Sequence, residues 1–513
     1  MLNMFSLSRC PAQLRLVQLG LRLLASACLL LPIAARAQVS FTGNGSSVNL
    51  ASQPVGSASA AVSLPFTIAA DTTVGSIAVL TTGIAGKDFA PATGSTCKAA
   101  TYTAATNCVV NVSFKPLATG LRRGAVVFYS GARNTGTVLA TVPVFGIGTG
   151  PQLVFGPGGA EASVGGKLVS PEGVAVDAAG NVYVTDIALQ KVFKVTPAGV
   201  RTSVGSGLEV PAGVAVDGAG NVYITDSQAD AVFKVTPGGV QTTVGSGFDW
   251  PSGVAVDGAG NVYVSDPFID AVYQITPAGE QTTVGGGYNT PAGVAVDAAG
   301  NVYVADSYSA VVYVITPGGV QTTVGTGLVT PAAVAVDAAG DVYITDAGTD
   351  AVCEVSSGGT QSTVSSGFDV PNGVAIDGSG NLYVANTFSE QVLKIGRADA
   401  PSLKFDATKV NFTSKDSPKT VDVKNIGNGS LQFSALTYPA DFPEGVSGGG
   451  DACTASTSLA TASTCTLTID FSPVKSLGSK KSQVLKEAVK LTTDTLNVAD
   501  ALEQVTVTGT ETK

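Results

Sequence analysis

Histidine is missing altogether: none occurs in 513 residues. Its absence removes imidazole metal ligands, imidazole general bases and Ser-His-Asp triads in one step. Tryptophan occurs once, aromatic residues make up only 6% of the chain, and no basic run exists outside the first 37 residues. A chain of 28 basic and 38 acidic residues, which becomes 24 against 38 (net −14) once the four arginines of that opening segment are set aside, is a poor match for nucleic acid or an anionic membrane surface. No later segment has 18 continuous apolar residues, so no membrane insertion is expected after the opening segment is removed.

That segment reads as a secretory leader. Arg9, Arg15 and Arg22 precede the apolar run Leu23–Ile33, and Ala35-Arg-Ala37 supplies small residues at the cleavage position. The expected location is therefore secreted, periplasmic or cell-surface. Cys10 and Cys28 leave with the leader.

What the chain has in quantity is repetition. A phrase beginning Pro171-Glu-Gly-Val-Ala-Val-Asp177 and ending at Asp186 recurs from Pro211, Pro251, Pro291, Pro331 and Pro371, at a constant spacing of 40 residues. Each unit holds four short β-branched or alternating runs, in the first unit 173–177, 181–186, 191–195 and 199–204, with Gly- and Pro-rich turns between them. Four strands per 40 residues cannot bury their own apolar faces, so the units are expected to pack as propeller blades. The sixth phrase is followed by only three strands, and the missing fourth precedes the first phrase at 159–165. The two partial units should close a six-bladed ring, which leaves no free sheet edge.

The phrase resembles the NHL repeat through its first two strands, over about residues 151–398. Where the family carries a His-Arg pair this chain has pairs such as Gln190-Lys191 and Asp230-Ala231. The resemblance implies a six-bladed propeller, a fold that serves binding modules, sensor domains and a few metal-dependent lyases and lactonases. The lyase-type relatives rely on histidine, so their chemistry does not carry over, whereas a carboxylate-only calcium site or a lactonase-like Glu/Asn/Asp site stays open.

Two sets of aspartates recur. Asp177, Asp217, Asp257, Asp297, Asp337 and Asp377 open an Asp-x-x-Gly-Asn turn, with Asp341 replacing the asparagine in the fifth unit; Asp186, Asp226, Asp266, Asp306 and Asp346 end the second strand. Both sets are expected to accept backbone hydrogen bonds. Differences between units gather in the loops between strands two and three and at the blade junctions, which share one face of an up-and-down propeller. A rigid ring with one varied face is a usual recognition surface. Its candidate ligand-binding residues are Trp250, Phe268, Tyr308 and Phe388 with Asp230, Asp249, Asp270, Asp350 and Glu390. The apolar residue at 208, 248, 288, 328 and 368 is expected to wedge between blades.

The flanks, about 40–150 and 401–510, share one pattern: Cys108-Val-Val-Asn-Val-Ser-Phe-Lys-Pro116 in the first and Cys465-Thr-Leu-Thr-Ile-Asp-Phe-Ser-Pro473 in the second. They resemble the immunoglobulin-like choice-of-anchor or Hydin-like domains of bacterial surface proteins. Cys97 with Cys108, and Cys453 with Cys465, should form disulfides closing loops of about a dozen residues, worth roughly 3 kcal/mol each and favouring an oxidising compartment. Cys353 stands where other blades carry Phe193, Phe233, Tyr273, Tyr313 and Leu393, and reads as an apolar filler.

The fold class expected is thus all-β, a six-bladed propeller (151–398) between two β-sandwich domains, behind a leader of 1–37. The function expected is a monomeric, non-catalytic binding or scaffold protein for an extracellular protein, peptide or polysaccharide. No catalytic residue and no cofactor is assigned, calcium being the one candidate. The alternative is a carboxylate-liganded, metal-dependent lactonase or lyase at the channel mouth.

Overall fold

Alternating valine, tyrosine and isoleucine, broken by Asp-x-x-Gly turns, gives each 40-residue unit a four-stranded antiparallel sheet. The computed structural model describes residues 37–513 apart from 134, 157–160, 447–450, 475–476 and 478–479. Residues 1–36 of the expected leader lie outside the described residues. In the first blade the strands are Pro171–Val176, Val182–Asp186, Lys191–Val195 and Arg201–Val204, from the axis outward. Every residue of the second strand is buried, because that strand has a neighbouring blade on both sides. The outer strand is mostly exposed.

Five blades are continuous in sequence; the sixth is not. Its outer strand is Glu161–Val164, paired with Gln391–Ile395 in the register Glu161 to Ile395 and Val164 to Val392. Gly159 and Ala160, the start of the expected closing strand, lie outside the described residues. The junction hydrophobes wedge as expected: Phe248 packs against Ala215 and Tyr223 of one blade and Val254 and Val264 of the next, and Leu208, Tyr288, Leu328 and Phe368 are equally buried.

The flanking regions are sandwich-like. In the first, a sheet of 39–41, 62–68, 106–114 and 89–91 packs on one built from 48–54, 138–149, 120–129, 76–81 and 84–85. Phe66, Phe114, Phe128 and the Cys97–Cys108 disulfide lie between them. In the second, the Cys453–Cys465 disulfide sits in a core with Phe405, Phe442 and Phe471. Cys353 is free and buried. One segment departs from the expected propeller boundary at 151. Leu153–Gly156 is not part of a blade but pairs with Lys419–Asn425, placing Leu153 and Phe155 in the C-terminal core. Among the described residues no helix is long and apolar enough to cross a membrane.

The two ends of the ring differ. The Asp-x-x-Gly-Asn turns meet the N-terminal sandwich: the Ala178 N–H donates to Thr82 Oγ1 at 2.7 Å, and the Gly83 N–H to the Gly218 carbonyl at 3.1 Å. Gly258 lies against the Phe145 ring, where a Cβ would collide with it. The opposite end carries the varied loops.

Candidate functional site

On the varied face the aromatics stand free: Phe268, Tyr308 and Phe388 are 73%, 77% and 68% exposed, and Trp250 is 44% exposed. Three of the candidate acids are engaged in the scaffold. Asp230, Asp270 and Asp350 each accept, through Oδ1, the N–H of the residue 20 positions on, Trp250, Thr290 and Val370, at 3.1, 2.9 and 3.1 Å. Asp249 and Glu390 remain exposed. The second aspartate set is fully buried and clamps the blade junctions. Asp226, for example, accepts the N–H groups of Glu209 and Val210 at 2.8 Å each. The first set closes its own turns: Asp177 takes the N–H groups of Ala179 and Asn181, the Asn181 amide and the Tyr183 hydroxyl. Both sets therefore have the structural role expected of them.

Blade five breaks that uniformity. Asp341 replaces asparagine, and Glu354 occupies the place of Lys194, Lys234, Gln274, Val314 and Lys394. Carboxylate oxygens of Asp337, Asp341 and Glu354 all lie within 4.8 Å of one another. Burial, and then the Asp341 charge, push Asp337 up to about 8, so it is mostly protonated at neutral pH. The Tyr343 oxygen lies 2.9 Å from Asp337 Oδ2 and 2.8 Å from Glu354 Oε1. With a single proton on the phenol, the Asp337 proton satisfies one contact and the phenol donates in the other. Burial opposes ionisation of Glu354, but Arg397 and Lys424 hold it below the usual carboxylate range. Lys424 Nζ, from the C-terminal sandwich, is 3.0 Å from Asp341 Oδ2 and 2.5 Å from Glu354 Oε1, and Arg397 is 3.5 Å from Glu354 Oε2. A set of three carboxylates, Asp341 and Glu354 buried and Asp337 half-buried, can coordinate a hard cation; in this arrangement the Lys424 ammonium stands among them.

The second departure lies at the open mouth of the channel. The residue after the blade-opening proline is Ala212, Ser252, Ala292 or Ala332 in four blades, but Glu172 in the first and Asn372 in the sixth. Ring closure makes those two neighbours. The Asn372 amide donates to Glu172 Oε2 at 3.1 Å and to Thr387 Oγ1 at 2.8 Å, and the Thr387 hydroxyl donates to the Pro171 carbonyl at 2.7 Å. Glu172 and Asn372 line a cup of about 190 Å³ together with Gly173, Gly213, Gly253, Gly293 and Gly373. Burial drives Glu172 up to about 7, against the opposing hydrogen bond from Asn372.

These groups overturn the expectation of a non-catalytic binding or scaffold protein with no enzymatic site. That expectation rested on six equivalent sets of carboxylates. The Asp337–Asp341–Glu354 cluster, two of its three residues buried, occurs as a set in one blade only and has the composition of a catalytic or cation-binding centre. The sequence signals were present in Asp341 and Glu354, and in Glu172 and Asn372, but their partners Arg397, Lys424 and Thr387 are brought to them only by the tertiary fold.

A model of the NHL repeat matches residues 288–310. No curated protein matches the chain. Similar solved structures include virginiamycin B lyase from Staphylococcus aureus, 14% identical over 47% of this chain and 99% of that one with a TM-score of 0.39. A gluconolactonase from Xanthomonas campestris is 15% identical over 46% and 89% with a TM-score of 0.42, and an auxiliary nutrient binding protein from Bacteroides ovatus is 12% identical over 66% and 94% with a TM-score of 0.40. Likeness at this level carries nothing about activity. The chain has an NHL-like six-bladed propeller fold flanked by additional β-sheet domains.

Proposed function

We propose that the chain is a carboxylate-dependent enzyme of the lactonase or lyase type, working at the open mouth of the propeller channel with Glu172 as its acid–base group. The observation that carries this reading is the position of Glu172: an acid found in one blade only, held in a cup, with an affinity for protons near neutrality. A carboxyl about half protonated at pH 7 can take a proton from water attacking an acyl carbon, or from a carbon acid, and return it to the departing oxygen. Asn372, fixed by Thr387, orients it. The leader and the two disulfides support an exported protein.

The test is turnover of a panel of lactones and esters by the parent and by Glu172→Gln. Loss of activity by 100-fold or more, with a parent profile that inflects near pH 7, is the expected result. Equal turnover by both proteins removes Glu172 from the chemistry.

A second reading is favoured by the three carboxylate oxygens within 4.8 Å. It adds a calcium-type cation at Asp337, Asp341 and Glu354 in place of the Lys424 ammonium, supplying Lewis-acid and charge-stabilising chemistry when bound. Lys424→Met should then show a melting temperature that calcium raises and a chelator restores. A variant indifferent to calcium sinks this reading alone.

A further inference from the structure

The N-terminal sandwich carries three cations, Lys87, Arg122 and Arg123, to the turn face of the propeller, and among the described residues only Arg122 has an ion-pair partner. Two adjoining cavities of about 210 and 310 Å³ lie between the sandwich and the ring, sharing Arg122, Asp177 and Asp377 among their walls. Lys87 stands in the outer cavity, Arg123 in the inner one. Arg122 is neutralised by Asp88, at 2.8 Å. Arg123 is not: its Nε is buried without a hydrogen-bond partner, and none of the described ion pairs involves its guanidinium.

The surrounding acids do not answer that charge directly. Asp177, Asp297 and Asp377 are each turned into their own loops, where backbone N–H groups, an asparagine amide and a tyrosine hydroxyl occupy their oxygens. Asp337 likewise accepts the N–H groups of Ala339 and Asp341, and its Oδ2 lies 2.9 Å from the Tyr343 hydroxyl. Burial works most strongly against the Arg123 cation; the charge of Asp257 supports it more than the like charge of Arg122 opposes it, and Asp217 adds a smaller support. Two hydroxyls line the same inner cavity as donors in waiting. Thr82 Oγ1 accepts from the Ala178 N–H and Thr81 Oγ1 from the Phe89 N–H at 3.1 Å, which leaves each hydroxyl proton available.

The Arg123 guanidinium, for which no ion pair is found among the described residues, and two hydroxyl donors face the inner cavity, with Lys87 and Arg122 beside them in the outer one, while the aspartates that also line it have their oxygens taken up by their own turns. We infer that the inner cavity is a binding site for a small oxyanion, a carboxylate or phosphate group held by Arg123 with Thr81 and Thr82. The planar fork of arginine matches two oxygens of either group. A buried charge left without such a partner is costly. The site lies at the opposite end of the ring from Glu172 and does not depend on the reading of that residue.

Calorimetry and thermal unfolding of the full chain with inorganic phosphate, and separately with malonate, test the inference. At least one probe should bind saturably and raise the melting temperature. Arg123→Gln should weaken that binding at least tenfold, and Thr82→Val, which keeps the cation, should weaken it several-fold and serves if the first variant does not fold. Preference for phosphate assigns a phosphoryl ligand and preference for malonate a carboxylate. The inference is overturned if neither probe binds, or if the variants bind as the parent does.

Discussion

Glu172 and Asp337 are both driven by burial to hold protons they would lose in the unfolded chain, and the consequence has one sign for both. Their folded values, about 7 and about 8, lie above the ordinary 4.5 and 3.8. Folding therefore favours the protonated forms; the stability they contribute is full below about pH 4 and is lost as pH rises through 7 and 8. Glu172→Gln and Asp337→Asn should each flatten that alkaline loss, by roughly 1–3 kcal/mol at pH 8.5, in urea unfolding compared with pH 4.5. The cations of the cluster behave differently. Lys424→Met leaves Asp341 and Glu354 with Arg397 alone, and should cost about 3–5 kcal/mol at neutral pH without calcium. These pairings were half legible. Asp341 and Glu354 are visible as departures from the repeat, but Lys424 sits in a strand of the following domain, and no repeat phase connects it to blade five.

Between the blades, one side chain selects the conformation of a junction some 20 residues away. Trp250, Thr290 and Val370 have left-handed backbones, with φ of 74°, 68° and 56°, and each donates its N–H to an aspartate ending the previous variable loop. Where that loop ends in Gln190, Ala310 or Glu390, the junction residue is Val210, Thr330 or Ser170. Its N–H then goes to Asp226, Asp346 or Asp186, and its φ is not positive. The left-handed backbone strains a β-branched residue. Val370→Gly should thus stabilise the ring by about 1 kcal/mol, while Val210→Gly should destabilise it, both read by thermal unfolding. The strands themselves were legible because apolar alternation and the 40-residue repeat agree. Leu153–Gly156 was not: a four-residue apolar run after Pro151 has no period of its own, and only its partner Lys419–Asn425 decides which sheet it joins.

At the scale of the molecule, the turn face that looked uniform is an interface between domains, and its small variations follow the contacts. The turn residue after the aspartate is alanine in blades one, four and five. It is Gly218, Gly258 and Gly378 where the backbone of Gly124, the ring of Phe145, and Ala118 with Arg122 press against the ring. Gly258→Val should release the N-terminal sandwich from the propeller, exposing the amides of turns 217–221 and 257–261 to hydrogen exchange, while the blades unfold at the parental temperature. The pairing of Leu153–Gly156 with Lys419–Asn425 has a mechanical consequence. Leu153 and Asn425 are opposite one another, and the chain leaves that end of the ladder toward the N-terminal sandwich on one strand and toward the rest of the C-terminal sandwich on the other. A pull between the two flanking domains therefore loads the four paired positions one after another, as a zipper, before tension reaches the blades. In an optical trap the first event should be a low-force opening of this ladder, and the ring should bear load only afterwards.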